Sequence, residues 1–233
     1  MFHIGPIWFD GTVAMMTIIS CIIVFLVVFI CTRNLQMKPK GKQNFIEWVI
    51  DFVRGIVADN LPGSQVNNFH LLGVTMFLFV FVANEIGLVT KIVTTDDITL
   101  WKSPTADPFV TLTLAFIMIT LTHLFGVKKL GFKGYFVNSF LKPYSFMFPM
   151  KVIEEFTNLL TLALRLYGNI YAGEVLLTLI AKMMTSLGWF SLPLAIPLEM
   201  VWIAFSLFIG SIQAFVFVTL SMVYMSHKIE VEE

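Results

Sequence analysis

Residues 162–177 read LALRLYGNIYAGEVLL, and they stand inside an apolar stretch long enough to cross a bilayer. About 20 mainly apolar residues span a hydrocarbon core about 30 Å thick. Arg165 lies ten residues past Glu155, hence roughly 15 Å along a helix and close to mid-depth. An arginine there costs about 2.5–3.5 kcal/mol on insertion scales, so it calls for a partner or an aqueous cavity and marks a functional site. Glu174 is a poor partner within the helix. Nine residues at about 100° each place the two on opposite faces, about 13.5 Å apart along the axis. Asn169, four residues on, shares the arginine's face, and the small Gly168, Ala172 and Gly173 let another helix approach closely. A structural arginine paired with a carboxylate elsewhere in its own chain is the competing reading.

The whole chain is built like this stretch. Of 233 residues, 58% are hydrophobic and only 13% charged, with zero net charge, against about 25% charged in a soluble domain. The fold class expected is an all-α polytopic membrane protein in one membrane domain over 1–233. Five spans are expected, at about 12–32, 69–90, 109–127, 155–184 and 194–226. The last two are longer than a perpendicular crossing needs, which implies tilt. Residues 44–58 place Phe45, Trp48, Val49, Phe52, Val53, Ile56 and Val57 at helical spacing, with Glu47, Asp51 and Arg54 opposite. That pattern suits an amphipathic helix lying in the interface. The first 13 residues carry no Lys or Arg, so the first apolar run reads as a retained span rather than a signal peptide.

Five crossings put the termini on opposite sides. With the N-terminus outside, eleven basic residues face the cytoplasm: Arg33, Lys38, Lys40, Lys42, Arg54, Lys128, Lys129, Lys133, Lys142, Lys151 and Lys228. Lys91, Lys102 and Lys182 face outward. The bias sets an N-out, C-in orientation.

A second polar set lies on the last span. Glu199, Ser206 and Gln213 recur every seven residues and form one stripe, beside a small-residue seam of Ser206, Gly210 and Ala214. Interhelical glue explains such residues singly; a hydrated, proton-relaying path explains the stripe of three. Asn84 and Glu85 near the outer end of the second span are an interfacial cap or part of the same vestibule. Glu154 and Glu155 favour the positive end of a helix dipole, or begin a polar path leading through Asn158 and Thr161 toward Arg165. Cys21 and Cys31 are about 15 Å apart on one helix, too far for a disulfide. His3, His70, His123 and His227 show no ligand spacing, and no Walker loop or dinucleotide fingerprint is present. No cofactor, metal or nucleic-acid partner is expected.

At these residues the chain resembles subunit a of the F-type ATP synthase membrane sector, in its short bacterial form. The pattern LRLYGN-x-YAGE at 164–174 carries the resemblance. SPTAD at 103–107, GKQNFIEW at 41–48, EEFTNLLTLALRL at 154–166 and SIQAFVFVTLSMVY at 211–224 extend it over nearly the whole chain. The resemblance implies a stator in the bacterial plasma membrane, set against a rotating c-subunit ring and held with the b-subunit peripheral stalk. Such a stator has two offset proton half-channels and does no ATP chemistry itself. It implies that Arg165 engages the ring carboxylate and blocks a short circuit. Glu174 and Asn84 would serve the outer path and Glu155 the cytoplasmic one, with Gln213 and Asn169 as the family's glutamine and asparagine beside the arginine. Some members carry a histidine where this chain has Ser206; a hydroxyl relays a proton through water but does not store one near neutral pH. That shifts weight to Glu174 and adds Glu199. The rival classes are a self-contained channel or transporter and a structural assembly factor.

Overall fold

The computed structural model describes residues 2–4, 7–89, 102–141, 146, 148–186 and 192–229. Lys91, Lys142, the polar loop over 91–101 and the connection over 187–191 lie outside the described residues. The first described elements, β1 (Phe2–Ile4) and β2 (Ile7–Phe9), pair antiparallel with Phe2 opposite Phe9. Asp10 then caps α1 (Gly11–Thr32) by accepting from the Thr12 N–H at 3.1 Å. Most of α1 is uncovered, including Ile18, Ile22, Phe25 and Phe29. Both cysteines are free, as their spacing requires.

The amphipathic segment forms α2 (Lys42–Asn60). Gly41 precedes it at φ 60°, in the left-handed region that glycine enters at no steric cost. The Gln43 side chain ties the preceding linker down, accepting from Gln36 N–H and donating to the Gln36 carbonyl. The apolar positions read as one stripe divide into two. Ile46, Val49, Val53, Ile56 and Val57 are buried against the bundle, whereas Phe45, Trp48 and Phe52 are exposed. The aromatic flank is rotated about 100° from the packing seam. α2 therefore packs on the protein with one face and leaves aromatics uncovered on the next.

α3 (Gly63–Val89) follows, then a 3₁₀ turn (Pro104–Ala106), then α4 (Pro108–Phe136). Asp107 caps α4 by accepting from Phe109 N–H at 2.8 Å, with proline at the first helical position, where its missing N–H costs nothing. Gly131, at φ 72°, breaks α4, so residues 132–136 form a turn set off from the main helix. The chain continues in a π-turn (Val137–Leu141), α5 (Phe148–Ser186) and α6 (Leu192–Ile229). At 39 and 38 residues, the last two helices are about 57 Å long or more, well beyond a bilayer core.

α6 lies in the centre of the bundle, packed on α3, α5, α4 and α2. Trp202 meets Gly173, Gln213 meets Asn169 and Lys228 meets Glu155, so α5 and α6 run antiparallel along most of their length. Two apolar cores form around α6. One joins Val53 and Val57 of α2 to Leu78 of α3 and Met222 of α6. The other joins Val80 of α3, Met118 of α4, Leu162 and Leu166 of α5, and Phe217 of α6. Four helical stretches among the described residues are long and apolar enough to span a membrane: 11–32, 65–87, 108–141 and 196–229. α5 is not one of them, because Lys151, Glu154, Glu155, Arg165, Glu174 and Lys182 dilute its hydropathy.

Candidate functional site

α5 separates its polar residues by face. Arg165 and Asn169 are exposed, while Glu174 is buried with Leu162, Leu166, Ile170 and Leu177. This is the opposition that nine residues of helix dictate. Among the described residues Arg165 makes no hydrogen bond or ion pair. Asn169 Nδ2 beside it donates to Gln213 Oε1 of α6 at 2.9 Å. A Cβ built on Gly168 would meet nothing within 4 Å, so the arginine's face is open to a neighbour.

Glu174 belongs to a different set. Its Oε1 accepts from the backbone N–H of Ser103 at 3.0 Å. Ser103 Oγ lies 2.8 Å from Thr105 Oγ1 and 2.9 Å from the Ala83 carbonyl oxygen. Thr105 donates to Asn84 Oδ1 at 2.7 Å, and Asn84 Nδ2 donates to the Gly210 carbonyl at 3.1 Å. Ser103, Thr105 and Asn84 are fully buried. Three short oxygen contacts share two hydroxyl hydrogens, so Ser103 donates either to Ala83 or to Thr105. A chain with two such arrangements can turn its hydroxyls without breaking the fold. The small-residue seam permits this, because Gly210 brings the α6 backbone against Asn84. Glu85 stands next to the set and accepts from Ser211 at 3.3 Å. Ser206 Oγ is buried with no protein partner among the described residues, and Glu199 is partly exposed further along α6.

Ser103 and Thr105 were not singled out from sequence. The signal was the short SPTAD motif, a polar turn between apolar runs. Gly87 seats that turn on α3: a Cβ there would lie 2.2 Å from Ser103 Cβ and 2.3 Å from its Cα. Gly87→Ala must push the turn off, at an overpacking cost of about 1–3 kcal/mol. We expect less assembled protein in membranes by immunoblot and weaker coupled pumping by what remains; wild-type values of both would refute the seat.

A second polar cluster lies at the other end of α5. Glu155 Oε1 pairs with Lys228 Nζ of α6, and Glu155 Oε2 stands 3.6 Å from His123 Nε2 of α4. His123 Nδ1 hydrogen-bonds the Tyr135 hydroxyl, and Lys228 Nζ lies 5.4 Å from the Phe140 ring centre. The break at Gly131 folds Tyr135 back here. Its ring packs on Gly126, where a Cβ would lie 2.7 Å from Tyr135 Cε2. Beside the cluster opens a cavity of about 200 Å³, lined in part by Asn138, Glu155, Asn158, Tyr224, His227 and Lys228. Glu155 and Asn158 thus share a cavity, and because α5 starts at Phe148 neither Glu154 nor Glu155 lies in its first turn, so the expected capping role does not hold. His123, which sequence spacing left without a role, stands beside Glu155. Lys228 and Tyr135 were also missed, since no local pattern links residues this far apart in the chain.

Glu155 and Glu174 are nineteen residues apart, about 28 Å along the helix and close to the thickness of a hydrocarbon core. Arg165 is midway. Between the two polar clusters the buried faces of α3, α4, α5 and α6 meet in apolar packing around Leu162, Leu166 and Phe217.

The sequence profile of the family described as ATP synthase A chain matches residues 14–226. An ATP synthase subunit a from Enterococcus hirae is 84% identical over 232 residues, covering 100% of this chain and 97% of that protein. One from Enterococcus faecalis is 66% identical over 233 residues, covering 100% and 98%. One from Listeria monocytogenes is 56% identical over 218 residues, covering 94% and 91%. With a family profile that reaches from α1 into the last turn of α6 and such coverage of both partners, the chain belongs to the ATP synthase A chain family, subunit a of the F-type ATP synthase, as a multi-pass protein of the bacterial membrane.

Proposed function

We propose that this chain is the proton-carrying stator of a rotary ATP synthase, with two half-paths that meet a ring of c subunits on the face bearing Arg165. One observation carries the reading: two polar clusters stand about a bilayer's thickness apart, and apolar packing closes the protein interior between them. A proton entering at Glu174 meets, among the described residues, the apolar packing of Leu162, Leu166 and Phe217 before it could reach Glu155. It must leave the chain, ride on a carrier outside it, and return. A carboxylate on a moving ring is such a carrier. It is neutralised by the outer path, turned through lipid while neutral, and stripped of its proton by the path on the other side.

The roles follow from position. Asn84, Ser103 and Thr105 lead to Glu174; Ser206, Gln213 and Glu199 extend the outer path along α6. A buried hydroxyl without a protein partner costs about 1–3 kcal/mol unless water bonds it, so Ser206 suits a hydrated route. Glu155 opens the cytoplasmic path. Asn169 and Gln213 hold each other beside Arg165 and keep that face ordered. α5 is the fifth crossing in this reading: its charges are directed to the two paths and the ring, so low hydropathy does not bar it. Charge bias sets the N-terminus outside and Lys228 in the cytoplasm, with the peripheral b subunits as further partners.

A self-contained channel would need a polar route through the chain, and the apolar core between the clusters disfavours it. The test is reconstitution. The intact complex in vesicles should pump protons on ATP addition, with a rate independent of sodium, and this chain should copurify with the ring. Vesicles holding the chain alone should conduct no protons under an imposed gradient. Selective conduction by the chain alone would overturn the stator reading.

A further inference from the structure

The cytoplasmic cluster contains more chemistry than a single carboxylate at the end of a path. Glu155 is clasped by Lys228, whose ammonium also rests on the Phe140 ring. An ammonium in direct contact favours the ionised carboxylate. With one oxygen on Lys228, the other oxygen of Glu155 is turned toward α4. The group facing its other oxygen is His123, 3.6 Å away. Imidazole is the side chain that changes charge between about pH 5 and 8. The His123 side chain is also the most exposed of the three, at 31% against 19% for Glu155 and 11% for Lys228.

We infer that His123 takes up and gives up the proton at the cytoplasmic end of the path, beside the Glu155–Lys228 ion pair. The inference rests on the stator reading and deepens it. In the neutral ring, Nε2–H points toward Glu155 and Nδ1 accepts from the Tyr135 hydroxyl. On taking a proton from a hydronium ion, which leaves as water, both ring nitrogens become donors. The Tyr135 oxygen then turns to accept, which a phenol can do. Release reverses each step, and no other bond changes. Tyr135 is buried and backed by Gly126, so it holds the ring in one orientation through both states. The groups that face this site are Tyr135 from α4 itself and Glu155 from α5, with Lys151 and Glu154 beside it, and Lys228, His227 and Tyr224 from α6. Phe140 and the amide and hydroxyl of Asn138 and Ser139 complete the wall without adding a titrating group. The chain thus lacks an imidazole at Ser206 on the outer path and carries one on the inner path.

The experiment uses the intact complex in inverted membrane vesicles, where the cytoplasmic face meets the medium. ATP-driven acidification is measured from pH 5.5 to 8.5 for wild type and His123→Gln. Taking the ratio of the two rates cancels the pH dependence of the catalytic head. The ratio should change by about 3-fold or more between the two ends of that pH range. A flat ratio overturns the assignment, even where His123→Gln lowers the rate uniformly. Tyr135→Phe keeps the imidazole and removes its hydroxyl partner; its ratio should bend at a pH displaced from that of wild type. If His123→Gln fails to assemble, an undisplaced Tyr135→Phe profile overturns the inference instead. Arg165→Ala measured in parallel separates the two readings: coupled pumping that survives it sinks the stator reading whatever His123 does, while its loss beside a flat His123→Gln ratio sinks only the inference here.

Discussion

Arg165→Ala should abolish gradient-driven ATP synthesis while leaving the complex assembled. The side chain is exposed on α5 and supports no hydrogen bond or ion pair among the described residues, so its removal leaves no buried group stranded. What it removes, in the proposed stator, is the cation that a ring carboxylate would meet. Opposite unit charges 4 Å apart attract by about 4 kcal/mol at an effective dielectric constant of 20. Losing most of that should slow the coupled step by about 100-fold or more, since each 1.36 kcal/mol is a factor of ten. Arg165→Lys keeps the charge but loses the planar fork that engages a carboxylate with two donors, and it should recover only part of the rate. Synthesis at the wild-type rate in the alanine variant, with normal amounts of complex, would remove Arg165 from the mechanism.

The second large effect is expected at Glu174. Glu174→Gln keeps the shape and an oxygen able to accept from Ser103 N–H, so the turn over 103–106 should stay seated. It removes the group that can take a proton. Positioned proton transfer contributes about 10²–10⁴-fold in rate, and a hydrated route past Ser206 would offer a partial detour, so coupled proton flux should fall by about 10-fold or more. Passive and ATP-driven flux in vesicles both measure it. Fluxes equal to wild type would take Glu174 off the path, leaving it as a structural anchor for Ser103.

Gly87→Ala separates those roles from the other direction. It leaves Glu174 chemically intact and moves its donor. A loss of assembly greater than that of Glu174→Gln would show that the turn's seat on α3 matters to the fold more than its bond to the carboxylate.

The arrangement on α5 was legible in the residues themselves. Helical periodicity is local: once 162–177 is a helix, Arg165 and Glu174 must face opposite ways and Asn169 must share the arginine's side. The buried state of Glu174 and the exposed states of Arg165 and Asn169 agree with that geometry. The apolar runs are equally local, because covering a hydrocarbon core is a matter of length and composition. Reading α2 as amphipathic was sound, but periodicity could not tell a face that packs on protein from one that meets lipid. Both faces are apolar, and only the neighbours Leu78 and Met222 distinguish Val53 from Trp48.

What the chain order hid is whatever depends on long-range approach. Ser103 and Glu174 are 71 residues apart, and they meet because Gly87 lets a turn lie on α3. His123, Tyr135, Glu155 and Lys228 come from three helices, and they converge because Gly131 folds the end of α4 back and because α6 runs antiparallel to α5. By itself, the sequence determined which stretches become helices, and that Arg165 and Glu174 stand on opposite faces of one of them, because each depends on residues within a few turns. Only the tertiary structure decided that the polar residues form two clusters with apolar packing between them, because that depends on which helix faces are brought together.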